Sequence, residues 1–236
     1  MALPKINNVT YDLTLPSSGK NIEYRPFLVK EEKILLTALE ADDEKQMVKA
    51  IKQIMSSCVV SDKFVVDDLP MVDIEYLFLK IRGKAVGDKI TVELKCECKD
   101  KTIPVEIDLS KVEVSKNENH SDIIKLTDDI MVRLSPPKME YLMGAQNKNQ
   151  VDVVLNVVRD SLIEIIQGED VFATKDHPKK DVEEFIDTLS SGQFAEIQKY
   201  YESLPALKHD VTVNCKDCGI SKTETLKGLA SFFASA

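Results

Sequence analysis

Two short cysteine pairs, far apart in the chain, constrain this sequence more than any other feature. One is Cys96-Glu97-Cys98; the other is Cys215-Lys216-Asp217-Cys218, followed by Gly219. Val92 and Leu94 alternate with polar residues before the first pair, as Val211 and Val213 do before the second. A few polar residues suited to reversing the chain follow each pair. A strand, a cysteine knuckle and a returning strand thus occur twice. Thiolates are soft ligands, and two short-spaced pairs supply the four donors that tetrahedral zinc takes. The residues therefore read as one zinc site, made by Cys96, Cys98, Cys215 and Cys218, that staples the middle of the chain to its C-terminal end. The alternative is four ordinary reduced thiols. His209 is a conceivable substitute ligand, but its place ahead of the strand reads as an exposed residue. Four thiolates leave no coordination position for water, so such a zinc is structural and contributes folding energy.

The remaining composition narrows the function classes. Five cysteines, an odd number at CxC and CxxC spacing, do not make a secreted disulfide framework and fit a reducing cytosol. Cys58 shares an apolar helical stripe with Met47, Ile51 and Ile54, which reads as a small buried hydrophobe. A net charge of -9 argues against broad nucleic-acid binding, which needs a basic surface. Lys95, Lys99 and Lys101 cluster near the first pair, but Glu97 and Asp100 interleave them. Residues 1–8 have no apolar signal core, and the apolar run 151–158 is broken by Asp152 and Asn156. No stretch approaches the roughly 20 apolar residues that span a bilayer. The expectation is a soluble protein with no membrane association.

Periodicity predicts the elements. Val9, Tyr11, Leu13 and Leu15 alternate, Pro16 to Gly19 signal a turn, and Ile22 and Tyr24 resume the alternation, so the chain opens on a β-hairpin. Three helices follow. The first carries Ile34, Leu35, Ala38 and Leu39; the second, capped at Asp42-Asp43, carries Met47, Ile51, Ile54 and Met55. The third follows Asp67-Asp68-Leu69-Pro70, carries Ile74, Leu77, Phe78 and Ile81, and is predicted to stop at Gly83. Residues 88–109 form the first cysteine hairpin, and residues 110–121 a loop or extended edge. Ile123 to Leu126 and Ile130 to Leu134 form a further hairpin about Thr127-Asp128-Asp129. Helices are predicted at about 138–145, 150–166 and 178–204, the last broken near Ser190-Ser191-Gly192. Strand returns at 208–214. The tail, with Leu229, Phe232 and Phe233, reads as a cap on the core or a docking patch.

This pattern predicts an α+β fold in three parts. They are an N-terminal hairpin and three-helix region over 1–87, a β zinc-knuckle module over 88–136 and 207–236, and a helical insertion over 137–206. There is no GxSxG, HExxH or glycine-rich phosphate cradle, and with eight glycines in the chain there is little material for one. His120 and His177 lie in polar stretches without a nucleophile in recognisable context. Paired carboxylates such as Asp67-Asp68 and Glu183-Glu184 sit where helix caps and solvated faces put them. No catalytic residue and no small-molecule substrate is predicted.

Two runs carry a resemblance. Leu15-Pro16-Ser17-Ser18-Gly19-Lys20 precedes Tyr24-Arg25-Pro26-Phe27-Leu28-Val29-Lys30-Glu31-Glu32-Lys33-Ile34-Leu35-Leu36. Leu69, Asp73, Glu75, Tyr76, Leu77, Phe78 and Arg82 follow, then Val86-Gly87 and a cysteine pair. A second pair, Cys215 and Cys218, precedes Leu229 and Phe232-Phe233. In this order they resemble the T-even-type phage baseplate hub assembly family, whose members more often carry CxxC at the first pair. The resemblance covers the two ends and the first cysteine hairpin better than the helical middle. It implies a late protein of a contractile-tailed phage, acting in the host cytoplasm as an assembly factor or chaperone. The implied partners are baseplate hub and central-spike proteins. The rival expectations are a structural hub component retained in the virion baseplate and a zinc-ribbon nucleic-acid binder.

Overall fold

The computed structural model describes residues 8–41, 43–96, 101–115, 117–139, 150–215 and 218–232. The chain opens with β1 (Tyr11–Thr14), β2 (Asn21–Tyr24), α1 (Val29–Glu40), α2 (Glu44–Cys58) and α3 (Met71–Val86). Next come β3 (Lys89–Cys96), β4 (Lys101–Asp108), β5 (Glu113–Ser115), β6 (Ile123–Lys125) and β7 (Ile130–Leu134). It continues through α4 (Gln150–Ser161), β8 (Leu162–Gln167), β9 (Asp170–Ala173), α5 (Lys179–Asp187) and α6 (Ser191–Ser203). It closes with β10 (Ala206–Asn214) and β11 (Ser221–Lys227). The fold is α+β, with every described strand pair antiparallel. Two compact units result: Met1–Ser115 with Pro205–Ala236, and Lys116–Leu204.

In the first unit, β1 and β2 pair from Tyr11 opposite Tyr24 to Thr14 opposite Asn21. The turn closes where the Leu15 N–H donates to the Lys20 carbonyl at 2.9 Å, with Gly19 in the left-handed region at φ 68°. Asp43 caps α2, its carboxylate accepting from the Lys45 N–H at 2.8 Å. Asp67 and Asp68 fall in a single 3-10 turn, Val66–Asp68, and α3 starts only after Pro70. It then runs past the expected stop at Gly83 to Val86. Gly83 serves close approach: a Cβ there would lie 2.6 Å from Asp88 Oδ1. Gly87, at φ 124° and ψ 151°, ends the helix in a conformation open to glycine alone.

Two hairpins complete this unit. β3 and β4 pair from Lys89 opposite Asp108 to Cys96 opposite Lys101. β10 pairs with β11 on one side and β5 on the other, giving the order β11-β10-β5. Residues 113–115, expected as loop or extended edge, are that edge strand. Ile90, Val92 and Leu94 of β3 share one core with Leu207, Val211 and Val213 of β10, closed by Leu79 of α3 and Phe232. At 1% exposure Phe232 is a core residue; Phe233 lies outside the described residues.

Among the described residues, the second unit is a sheet in the order β6-β7-β8-β9 with the helices α4, α5 and α6. Val132, Leu134 and Leu162 of the sheet share a core with Val158 of α4, Val182 and Ile186 of α5, and Ile197 and Tyr200 of α6. A full capping box starts α6, with Ser190 and Gln193 each accepting the other's backbone N–H. The section 137–206, expected to be helical, holds two strands as well. The helix predicted over 150–166 ends at Ser161, and Leu162–Gln167 is β8. Pairing with β7 provides the reason: Ile163, Ile165 and Ile166 are β-branched, and β7 pairs from Ile130 opposite Gln167 to Leu134 opposite Leu162, with a register shift at Ile163. The helix expected at 138–145 lies, from residue 140 on, outside the described residues.

Candidate functional site

The cysteine hairpins come first. Cys215 follows β10 directly and continues its buried side, 8% exposed, while Cys218 is exposed. The Cys215 N–H donates to the Ile220 carbonyl at 3.0 Å, and the Gly219 N–H donates to the Cys215 carbonyl at 2.9 Å. Gly219, at φ 72°, makes the left-handed step that brings the chain back toward β11. A CxxC pair on such a tight turn is a donor set that suits a thiophilic metal. Cys96 closes β3; Cys98 lies outside the described residues. Among the described residues no group of three or more His, Cys, Asp or Glu stands together as a metal site. His209 is not ahead of the strand but inside β10, opposite Leu226. At about 3.3 Å per residue its Cα stands roughly 20 Å from that of Cys215, too far for a shared ion.

Sequence reasoning missed the most buried charged pair. Glu31, 2% exposed, occupies the first turn of α1 and accepts the Leu28 N–H at 2.9 Å, half of a capping box on a helix whose leading residue has no hydroxyl. Arg25 Nη2 donates to Glu31 Oε1 at 2.9 Å and to the Ser57 carbonyl at 2.8 Å, and Nη1 donates to the Pro26 carbonyl at 3.0 Å. The Arg25 N–H donates to the Cys58 carbonyl at 2.8 Å. One guanidinium therefore ties the end of β2 to the start of α1 and the end of α2. Burial works to raise the Glu31 carboxyl, but bonds from Arg25 and Leu28 outweigh it and hold the group below its ordinary value. Burial pushes the Cys58 thiol up to about 11, which leaves it inert. The signal for this node was present in Arg25 and Glu31, six residues apart across Pro26.

Asp73 makes a second tie. It is fully buried in the first turn of α3 and accepts the Ser17 N–H at 3.0 Å and the Ser17 hydroxyl. The β1–β2 turn is thereby held to α3. Neither tie presents a reacting group to solvent.

The histidines are held structurally. His120 Nδ1 lies 2.8 Å from Ser203 Oγ, with its ring 5.1 Å from that of Tyr200. Ser203 Oγ also donates to the Tyr200 carbonyl at 2.7 Å, which competes with the imidazole for its one hydroxyl proton. His177 lies 6.3 Å, ring to ring, from Phe172, beside a small pocket.

Exposed apolar surface is the other feature of note. Phe27, Leu28, Val29, Ala85 and Val86, with the charged Lys30 and Glu32, line a shallow groove between the start of α1 and the end of α3. Val29 is 80% and Val86 62% exposed; Leu36, two turns along the same face of α1 as Val29, is 54% exposed. No described helix is long and apolar enough to cross a membrane.

A family model described as T4 bacteriophage base plate protein matches residues 7–234 of the chain. No curated protein and no solved structure matches it.

Proposed function

Because the chain belongs to the T4 bacteriophage base plate protein family, we propose that it is a baseplate hub assembly factor. It binds hub or central-spike subunits in the host cytoplasm and holds them until the next subunit docks. The groove at the start of α1 and the end of α3 carries this reading, because Val29 and Val86, exposed beside Lys30 and Glu32, favour burial against a partner that also meets those charges. The absence of a recognisable catalytic constellation in the sequence fits a binding role rather than an enzyme. The experiment is deletion of the gene followed by mass spectrometry of purified tails. Loss of complete hubs, with the protein absent from wild-type tails, is the expected result. Fixed stoichiometry in wild-type tails makes it a structural component of the baseplate instead. Complete hubs at normal yield without the gene overturn both.

The four-thiolate zinc site of Cys96, Cys98, Cys215 and Cys218 belongs to the same reading. Its support is the shared core of the β3–β4 and β10–β11 hairpins and the turn geometry at Gly219. The metal would staple the module and carry no reaction. Elemental analysis of wild type, Cys96→Ser and Cys215→Ser is the test: one zinc per chain lost in each variant supports the site, and a metal-free wild type sinks it.

A further inference from the structure

We propose that β9 is an open sheet edge on which a partner protein adds a strand, with one apolar side chain of that strand seated in the pocket beside Phe172. The inference deepens, and rests on, the reading of this chain as one that binds other baseplate subunits.

β9 stands last in the order β6-β7-β8-β9, and among the described residues no strand pairs with its outer side. Its backbone polarity follows from the register. Gly168, at φ 57°, and Glu169 form a two-residue turn between Gln167 and Asp170, with glycine first as a type II′ turn requires. Residues flanking such a turn are a hydrogen-bonded pair, and bonded and non-bonded pairs then alternate. Asp170 and Phe172 therefore spend their backbone groups on β8. Val171 and Ala173 turn theirs outward, where an incoming strand finds them.

Native edge strands are commonly blunted by lysine, proline or a covering element. This one is short and opens on Asp170, but it also carries Val171 at 58% exposure and Phe172 at 41%. Val171 continues a cross-strand row with Met131 and Ile166 on the face away from Val132 and Ile165. Phe172 lies on the other face, opposite Ile165. There Phe172, Ile165, Thr174, His177, Asp181 and Val182 line a mostly apolar pocket of about 190 Å³, room for a single apolar side chain. A residue of the added strand opposite Phe172 projects to that same face, next to the pocket. Main-chain bonds to an edge combined with a pocket for an alternate side chain is a recurring way of recognising an extended segment.

Charge selects the occupant. Asp128, Asp129, Glu169 and Asp170 crowd the turn end of the sheet, where the Gly168 N–H donates to the Asp129 carbonyl at 3.1 Å. Lys125 pairs with one of the four, Asp128, at 2.8 Å. The segment that fits is extended, carries a lone apolar anchor opposite Phe172, and has Lys or Arg where it passes Glu169 and Asp170.

The test uses the full chain and the other baseplate proteins of the same phage, both as whole subunits and as short overlapping peptides. Val171→Pro removes an outward N–H at an edge position where proline is tolerated. Glu169→Lys with Asp170→Lys reverses the flanking charge at exposed positions. Thermal melts establish that both variants fold. The expected result is a peptide that protects the outward amides of Val171 and Ala173 from exchange and loses at least about tenfold in affinity with each variant. Subunit binding unchanged in both folded variants overturns the edge and leaves the baseplate-binding reading standing. Failure of every subunit to bind overturns both.

Discussion

Arg25 Nη2 lies 2.9 Å from Glu31 Oε1, and through that contact one guanidinium joins β2, α1 and α2. Breaking a buried pair leaves the surviving charge without its partner, which is commonly worth about 3–5 kcal/mol. Arg25 keeps carbonyl acceptors at Pro26 and Ser57, so Glu31→Ala is expected at the low end, about 3 kcal/mol, read from denaturant unfolding. The pH dependence has a defined sign. The folded Glu31 carboxyl titrates below its unfolded value, so its contribution is complete above the ordinary glutamate range and is lost as pH falls through the folded value. Melting curves of wild type and Glu31→Gln should therefore converge in acid and separate toward neutrality.

Asp73 and Ser17 give a second measurable coupling. Removing the Asp73 carboxylate takes a charged acceptor from the Ser17 N–H and hydroxyl; Ser17 is exposed, so water replaces part of it and the cost is about 1–2 kcal/mol. Ser17→Ala removes one of the two bonds and should cost less. A double-mutant cycle on the pair should return a coupling of about 1 kcal/mol or more; additive effects would show that the turn is not held to α3 through these groups.

The thiols should separate cleanly. Cys218 is exposed, whereas Cys58 is buried with its thiol pushed up to about 11. Alkylation of metal-free native protein, mapped by mass spectrometry, should label Cys218 early and Cys58 only after unfolding. Zinc added beforehand should protect Cys218 if the four-thiolate site forms.

Two glycines of α3 should behave differently when replaced by alanine. Gly87→Ala puts a Cβ into a glycine-only backbone region and should cost roughly 1–3 kcal/mol. At Gly83 the Cβ would meet the carboxylate of Asp88, a half-exposed side chain that can swing away by giving up its 3.3 Å contact with Lys84. Helix propensity favours alanine there by up to about 1 kcal/mol, so Gly83→Ala should be close to neutral. Thermal melts of the two variants compare them directly.

Much of the fold was legible because alternation and helical periodicity are local. The opening hairpin, the stripes of α1, α2 and α3, the two cysteine hairpins and the Ile123–Leu134 hairpin all follow from where apolar residues recur. The apolar run from Val151 to Ile166 was ambiguous: Val154, Val158, Leu162 and Ile165 satisfy a helix, while Ile163, Ile165 and Ile166 satisfy a strand. Its division at Ser161 depends on β7 being available to pair. Helical periodicity puts Glu31 on the outer face of α1, and nothing local shows that Arg25, Glu31 and Asp73 will be buried with their partners.

The sequence by itself determined which segments alternate, which coil, that Cys58 would be buried, and that two cysteine hairpins recur in an acidic chain resembling baseplate proteins. Only the tertiary structure decided that both hairpins share one core, that His209 lies inside β10 roughly 20 Å from Cys215, and that β9 ends its sheet with Val171 and Phe172 exposed. The division is physical. Periodicity is written by neighbours three or four residues apart, whereas burial of a charge and openness of an edge depend on segments that meet only when the chain is folded.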